Sequence, residues 1–153
     1  MNPDQMMETL RQLEARIANL THEEGAAWDR AGKLIGLKTG EAWLEWNDEE
    51  IEAMADGVMT HNHPSGLPPA LSDYRMAVLA GLKEMRIVTK EGVWVIRPPT
   101  GGWPGSTMAG RTTWWERVAL DLRPALLEKT VPERAHHLVV LFRQVTGAEV
   151  ILG

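Results

Sequence analysis

Two histidines separated by one residue, and an aspartate shortly after them, form the part of the sequence best suited to chemistry. His61 and His63 lie in the segment THNHPSG, and Asp73 follows ten residues after His63. On a strand, side chains two residues apart project to the same face, so both imidazoles can reach one metal ion. Two imidazole nitrogens, one carboxylate oxygen and a water molecule are the ligands of a catalytic zinc site. The spacing therefore predicts one Zn²⁺ per chain on His61, His63 and Asp73, with a structural or solvated histidine pair as the alternative.

A zinc site that activates water also needs a general base to take the proton. Glu24, at the start of the first predicted strand, is the candidate because of its spacing to Trp28 and Asp29. Glu23 competes for this role, but on a strand the two side chains project to opposite faces, so only one of them can reach the metal. The chain has no cysteine, which excludes thiolate ligands, cysteine nucleophiles and disulfides. A ligand set of nitrogen and oxygen would also accept iron, manganese or nickel.

Hydrophobic periodicity predicts the elements that position these residues. Residues 1–21 form an amphipathic helix, since apolar residues recur at spacings of three and four from Met6 to Leu20. We expect this helix to dock on the domain, with pairing to a second chain as a homodimer as the alternative. Residues 22–99 form the metal-binding core. Its predicted elements are two strands within 24–40, a strand at 41–46, a short helix at 49–55, a strand that ends in the THNH segment, a helix at 72–83 and a β-hairpin within 84–99.

The third segment, residues 100–153, begins with a loop rich in glycine and proline and continues as helices. One helix starts at about residue 112 and contains Pro124, which should kink or split it. A second helix begins in the TVPE segment, and residues 149–152 form a closing strand. Together the three segments predict a single compact α/β (α+β) domain, in which helices flank a sheet and extra helices lie at both ends.

Composition restricts the classes of protein to which the chain can belong. Its 153 residues are enough for one domain with its own core. No apolar run is long enough for a membrane helix and the first residues are polar and acidic, so we expect a cytoplasmic protein without membrane contact. The net charge of −5 argues against coating of nucleic acid by bulk charge, although local contact with nucleic acid stays open. Of the seven tryptophans, Trp103 in the Gly/Pro loop is the candidate for substrate contact, and the others are assigned to packing.

The segment from His61 to Pro64, with an upstream glutamate and a downstream aspartate, resembles the signature of the JAMM (MPN-domain) metalloproteases. The string HNHPSG is similar to the branch that contains RadC and phage-type domains, and EGAAWDRAG matches the glutamate and the turn that precede the motif in that branch. The resemblance covers residues 23–99. It implies a mixed, curved sheet flanked by helices, and a zinc-dependent hydrolase that cleaves peptide or isopeptide bonds of a peptide or protein substrate.

The resemblance also implies a role for each matching residue. His61, His63 and Asp73 would bind zinc, and Glu24 would hold the water molecule and take its proton. In the family, a serine three residues before the aspartate helps to stabilise the oxyanion of the tetrahedral intermediate. Ala70 stands at that position in this chain. Loss of one oxyanion donor raises the barrier by about 2.7–4 kcal/mol.

Two nearby hydroxyl groups, those of Ser72 and Ser65, are the candidates to replace the missing serine, although neither has the spacing of the family pattern. Two other functions therefore stay open beside the hydrolase. One is a RadC-like metal domain associated with DNA processing. The other is a catalytically weak or inactive interaction module of phage or mobile-element origin.

Overall fold

The computed structural model describes residues 2–41 and 44–153, and in these ranges the chain forms five helices and six strands. Met1, Ala42 and Trp43 lie outside the described residues. In chain order the elements are α1 (Pro3–Ile17), β1 (Glu23–Trp28), β2 (Leu34–Gly40), α2 (Asp48–Ala53), β3 (Val58–Asn62), α3 (Leu71–Ala80), β4 (Glu84–Thr89), β5 (Gly92–Arg97), α4 (Met108–Leu126), α5 (Val131–Thr146) and β6 (Glu149–Leu152).

The strands form one mixed sheet in the order β2-β1-β3-β4-β5-β6. All neighbours are antiparallel except β3 and β4, which run parallel and are joined through α3. A parallel pair needs such a crossover, because the chain must return to the starting edge of the sheet. The start of α3 therefore lies near the end of β3, which is where the site residues are found. The mixed α/β fold predicted from the sequence is confirmed.

Helix α1 covers one face of the sheet. Its residues Leu10 and Ile17 are fully buried and pack against Ala26, Trp28 and Val88. The apolar stripe of the N-terminal segment is thus covered by the chain's own strands, as expected for docking on the domain. A homodimer through this stripe would require α1 to leave the sheet.

The opposite face of the sheet carries α3, α4 and α5 and the larger part of the core. Tyr74 of α3 stacks on Phe142 of α5 with the ring centroids 4.4 Å apart, and both side chains are fully buried. Leu122 of α4 and Ile87 of β4 complete this centre without solvent exposure. The three helices pack on the same face of the sheet that carries His61, and α3 itself supplies Asp73.

A buried polar link ties α1 to the central strands. Glu14 of α1 accepts hydrogen bonds from Arg86 Nε at 2.8 Å, from Arg86 Nη2 at 3.0 Å and from the Thr60 hydroxyl at 2.7 Å. These hydrogen bonds raise the pKa of Arg86 above its ordinary value. Because the carboxylate is fully partnered, its burial is compatible with a stable fold. Glu14 is not among the residues that the sequence pattern singles out.

Two predicted elements differ from the structure. Residues 44–46 of the predicted strand 41–46 form no strand, while its positions 42 and 43 lie outside the described residues. Helix α4 begins at Met108 and continues through Pro124 to Leu126 rather than splitting. Proline removes the hydrogen bond to the carbonyl four residues earlier, that of Leu120. Arg123 Nε donates to this carbonyl at 3.2 Å, so the last turn tolerates the proline.

Among the described helices, none is both long and apolar enough to cross a bilayer.

Candidate metal centre

The parallel crossover brings the three predicted ligands together. His61 is the fourth residue of β3, His63 follows the strand directly, and Asp73 lies in the first turn of α3. The metal-ligating atoms of the three side chains lie within 4.8 Å of one another. His61 is 5% exposed and Asp73 is 8% exposed, so the group is buried at the end of the sheet. The structure therefore contains the His-His-Asp group that the sequence predicts.

The carboxylate of Asp73 lies between the two imidazoles. Its Oδ1 is 2.9 Å from His61 Nε2, and its Oδ2 is 3.1 Å from His63 Nε2. The backbone N–H of Ala70 also donates to Oδ2 at 2.8 Å, which fixes the carboxylate at the start of α3. Burial alone would raise the pKa of Asp73, but the charge of His61 and the hydrogen bonds from both histidines outweigh it. The pKa of Asp73 is consequently well below its ordinary value, and the group stays anionic.

The ring of His63 is oriented through its other nitrogen. His63 Nδ1 lies 3.0 Å from the carbonyl oxygen of Leu67, to which a protonated Nδ1 donates. Metal-ligating histidines are commonly oriented in this way, with Nε2 left for the ion. Since Nε2 faces a carboxylate oxygen, it needs either a proton or a metal ion. Burial alone would lower the pKa of His63, but the hydrogen bond and charge of Asp73 raise it to about 9.

The donor atoms of the group fit a divalent cation. His61 Nδ1 is buried without a hydrogen-bond partner, and the carboxylate of Asp73 is buried and anionic. Two imidazoles and a carboxylate are typical ligands of Zn²⁺, and three protein ligands leave a coordination position open. The same donors also suit other divalent first-row metals, so the residues alone do not select one ion.

Asn62, between the two histidines, projects to the opposite face of β3. Its Oδ1 accepts from the Glu24 N–H at 2.8 Å, and its Nδ2 donates to the carbonyl oxygens of Ile17 at 3.0 Å and His22 at 2.9 Å. This side chain joins the end of α1, the start of β1 and the ligand-bearing strand. The prediction from sequence does not include Asn62. The period-two alternation that places both histidines on one face is the signal that places Asn62 on the other.

The structure does not bring Glu24 to the ligand group. Its carboxylate forms an ion pair with Arg16 of α1, on the face that also carries Ala26 and Trp28. Gly25 pairs with His61 in the antiparallel register, so odd-numbered residues of β1 share the face of the histidines. Glu24 therefore lies on the opposite face of β1 from the two histidines.

Glu23 is the glutamate of β1 that lies beside the ligand group. Its side chain lines a cavity together with His61, His63 and Asp73. Partial burial raises the pKa of Glu23, against the lowering effect of the two histidines. Both glutamates are candidates from the sequence, and Glu23, the alternative to Glu24, is the one that lines the cavity. The signal that distinguishes them is the alternation of β1, where Ala26 and Trp28 mark the face that packs under α1.

The two candidate hydroxyl groups occupy different positions around the site. Ser72 is exposed and lines the same cavity as the three ligands. Ser65 lines a neighbouring cavity, and its hydroxyl accepts from the Leu67 N–H at 3.3 Å. Ala70 borders both cavities, and its methyl group offers no hydrogen-bond donor. Of the two serines, Ser72 is thus the one that faces the ligand group.

Trp103 lies away from the ligand group. Its Nε1 donates to the carbonyl oxygen of Leu82 at 2.8 Å, and its ring packs near those of Trp114 and Phe142. It does not line either cavity that borders the histidines. In this structure Trp103 closes the Gly/Pro loop over the core, so the predicted role in substrate contact finds no support in its position.

Comparison of the chain with family models, with curated proteins and with solved structures finds no match. A mixed α/β fold holds a buried group of His61, His63 and Asp73 that could bind a metal ion.

Proposed function

We propose that the protein is a zinc-dependent hydrolase of the JAMM type that cleaves peptide or isopeptide bonds. The observation that carries the proposal is the carboxylate of Asp73 between two histidine Nε2 atoms, at 2.9 and 3.1 Å, in a cavity that also contains Glu23. Ligands and a candidate base thus face one space that a substrate can enter. The resemblance of the His-x-His-Pro segment to the JAMM signature supports the choice of reaction.

Each residue of the cavity has a role in this proposal. A zinc ion on His61, His63 and Asp73 would polarise the scissile carbonyl and lower the pKa of water to about 7. Glu23 accepts the proton of the attacking water as the new C–O bond forms. It then returns the proton to the leaving amine as the C–N bond breaks, so the carboxylate is regenerated. A carboxyl pKa above the ordinary value suits a group that both takes and returns a proton near neutral pH.

Ala70 favours a second candidate function. The position that carries an oxyanion-stabilising serine in the JAMM signature has only a methyl group here, which raises the barrier by about 2.7–4 kcal/mol. Such a loss suits a metal-binding interaction module of phage or mobile-element origin that has little or no turnover. The net charge of −5 disfavours the third possibility, a RadC-like domain acting on DNA.

The test compares zinc-loaded variants on a panel of peptide and isopeptide substrates. Wild-type protein and Ala70→Ser should both hydrolyse at least one substrate, with Ala70→Ser faster. Glu23→Gln should lower kcat by about 100- to 10,000-fold, as expected for loss of a general base. Glu24→Gln is the matched control, since its carboxylate faces Arg16, and should retain kcat. Absence of hydrolysis in zinc-loaded wild type and Ala70→Ser alike would favour the interaction module over the enzyme.

A further inference from the structure

An apolar cavity opens directly beside the ligand group. Its volume is about 230 Å³, and the three ligand side chains with Glu23 form one wall. The remaining lining is mostly apolar and includes three methionines, Met59, Met76 and Met85, together with Leu44 and Trp46. The hydrolase proposed above uses the polar wall only, so the apolar part of the cavity has no role in the chemistry.

The three methionines lie on the same faces of their strands and helix as the ligand residues. Met59 lies two residues before His61 on β3, and therefore on the same face of the strand. Met85 of β4 is its partner in the parallel register. Met76 lies three residues after Asp73, on the same side of α3. The apolar surface is thus a continuation of the metal-binding face along each element.

The cavity has a closed floor and an accessible rim. Met59 is 2% exposed and Met85 is fully buried, so these two side chains form the floor. Leu44, Trp46 and Met76 are half-buried and border the opening. Leu44 packs over Gly25, where a Cβ would come within 2.7 Å of the Leu44 Cδ1 atom. Methionine side chains are flexible and polarizable, so such a surface adapts to guests of somewhat different shape.

We infer that this cavity is a subsite for one apolar side chain of the substrate, of leucine or methionine size, adjacent to the bond that is cleaved. The inference rests on the proposed function, because the ligand group defines where that bond lies. The cavity volume is several times the roughly 30 Å³ that one water molecule occupies, so a branched alkyl group fits. A charged side chain would lose its hydration against Met59 and Met85 without gaining a partner there.

The subsite can be tested by binding, independently of turnover. The probes are three hydroxamic acids, each of which chelates zinc through the same group: acetohydroxamic acid, 4-methylpentanohydroxamic acid and a carboxylate-terminated analogue of similar length. Their affinities for zinc-loaded protein are measured by isothermal titration calorimetry. We expect the branched alkyl probe to bind about 10- to 100-fold more tightly than acetohydroxamic acid. The carboxylate-terminated probe should gain nothing over acetohydroxamic acid.

A matched pair of variants tests whether the preference for the alkyl probe comes from this cavity. Met76→Gln keeps the length of the side chain but makes the rim polar, and should reduce the preference for the alkyl probe by about five- to tenfold. Its affinity for acetohydroxamic acid should not change. Met7→Gln makes the same substitution at a half-buried methionine of α1, on the other face of the sheet, and should preserve the preference.

The outcomes separate the two proposals. If zinc binds but the three probes have equal affinity, or if Met76→Gln leaves the preference unchanged, the subsite is refuted while the metal site stands. If the protein takes up no zinc and no probe binds, the proposed function fails and the subsite fails with it. An alkyl preference lost in Met76→Gln and retained in Met7→Gln supports the subsite.

Discussion

The proton on His63 makes the stability of the metal-free protein depend on pH, and the structure fixes the direction. In the folded protein the pKa of His63 is about 9, against an ordinary value of 6.5, because the hydrogen bond and charge of Asp73 outweigh the effect of burial. A group whose pKa is higher in the folded state stabilises that state when it is protonated. The contribution of His63 is therefore complete below about pH 6.5 and is lost as the pH rises through about 9.

The magnitude follows from the two pKa values. A change from 6.5 to about 9 corresponds to roughly 3 kcal/mol, at about 1.36 kcal/mol for each pH unit. The side chain of His63 is only 10% exposed, so solvent screening reduces this value little. Asp73 acts in a different window. Its pKa is lowered on folding, so its contribution is present above its ordinary pKa of 3.8 and is lost only as the pH falls below that value.

The assay is urea unfolding of chelator-treated protein across about pH 6 to 10, with His63→Gln measured in parallel. Other groups titrate in both proteins, so the difference between their free energies of unfolding isolates His63. That difference should shrink by roughly 3 kcal/mol between about pH 6.5 and 9.5. With saturating zinc the decline should disappear, because the metal replaces the proton. Parallel curves for the two metal-free proteins would refute the assigned environment of His63.

Three further predictions concern the elements around the site. Gly25→Ala places a Cβ 2.4 Å from a backbone oxygen of β3 and 2.7 Å from the His61 Cβ, so it should lower the zinc affinity measured by calorimetry and lower the free energy of unfolding by about 1–3 kcal/mol. Gly36→Ala is the control, because its nearest contacts are side-chain atoms at 3.3 Å, and it should retain zinc affinity. Equal zinc affinities of the two variants would contradict the close packing of β1 on β3. Glu14→Gln should cost about 1.5–3 kcal/mol in urea unfolding, because a buried charged hydrogen-bond acceptor is lost, whereas Glu8→Gln on the exposed side of α1 should cost almost nothing. Leu10→Ala should cost about 2–5 kcal/mol, since this side chain is fully buried, and a cost near zero would mean that α1 does not pack on the sheet.

The ligand group could be predicted from the sequence because its geometry depends on short-range rules. His61 and His63 are two residues apart at the end of a strand, and Asp73 lies in the first turn of the helix that follows, so local periodicity already restricts their relation. The alternation of elements likewise predicts the mixed α/β fold. Of the two outcomes expected at Pro124, the split of helix α4 is wrong. The sequence does not show this because the compensating contact, from the side chain of Arg123 to the carbonyl that loses its partner, is a detail of the folded helix.

The sequence does not predict the residues whose position depends on which face of the sheet each neighbouring element covers. The choice between Glu23 and Glu24 needs the knowledge that α1 lies on the even-numbered face of β1, and spacing to a turn does not supply it. Asn62 and Glu14 act through contacts to elements more than 35 residues away in sequence, which no local pattern encodes. The prediction for Trp103 depends on the composition of its loop, whereas its position is set by a hydrogen bond to Leu82.

The central claim, that His61, His63 and Asp73 bind a metal ion, is tested most directly by elemental analysis after equilibration with zinc and removal of free metal. Wild-type protein and His136→Ala, which replaces an exposed histidine of α5, should each retain about one zinc ion per chain. His63→Ala and Asp73→Asn should retain less than about a tenth of that amount. Zinc content near zero in the folded wild-type protein, or equal content in wild type and His63→Ala, would contradict the metal centre.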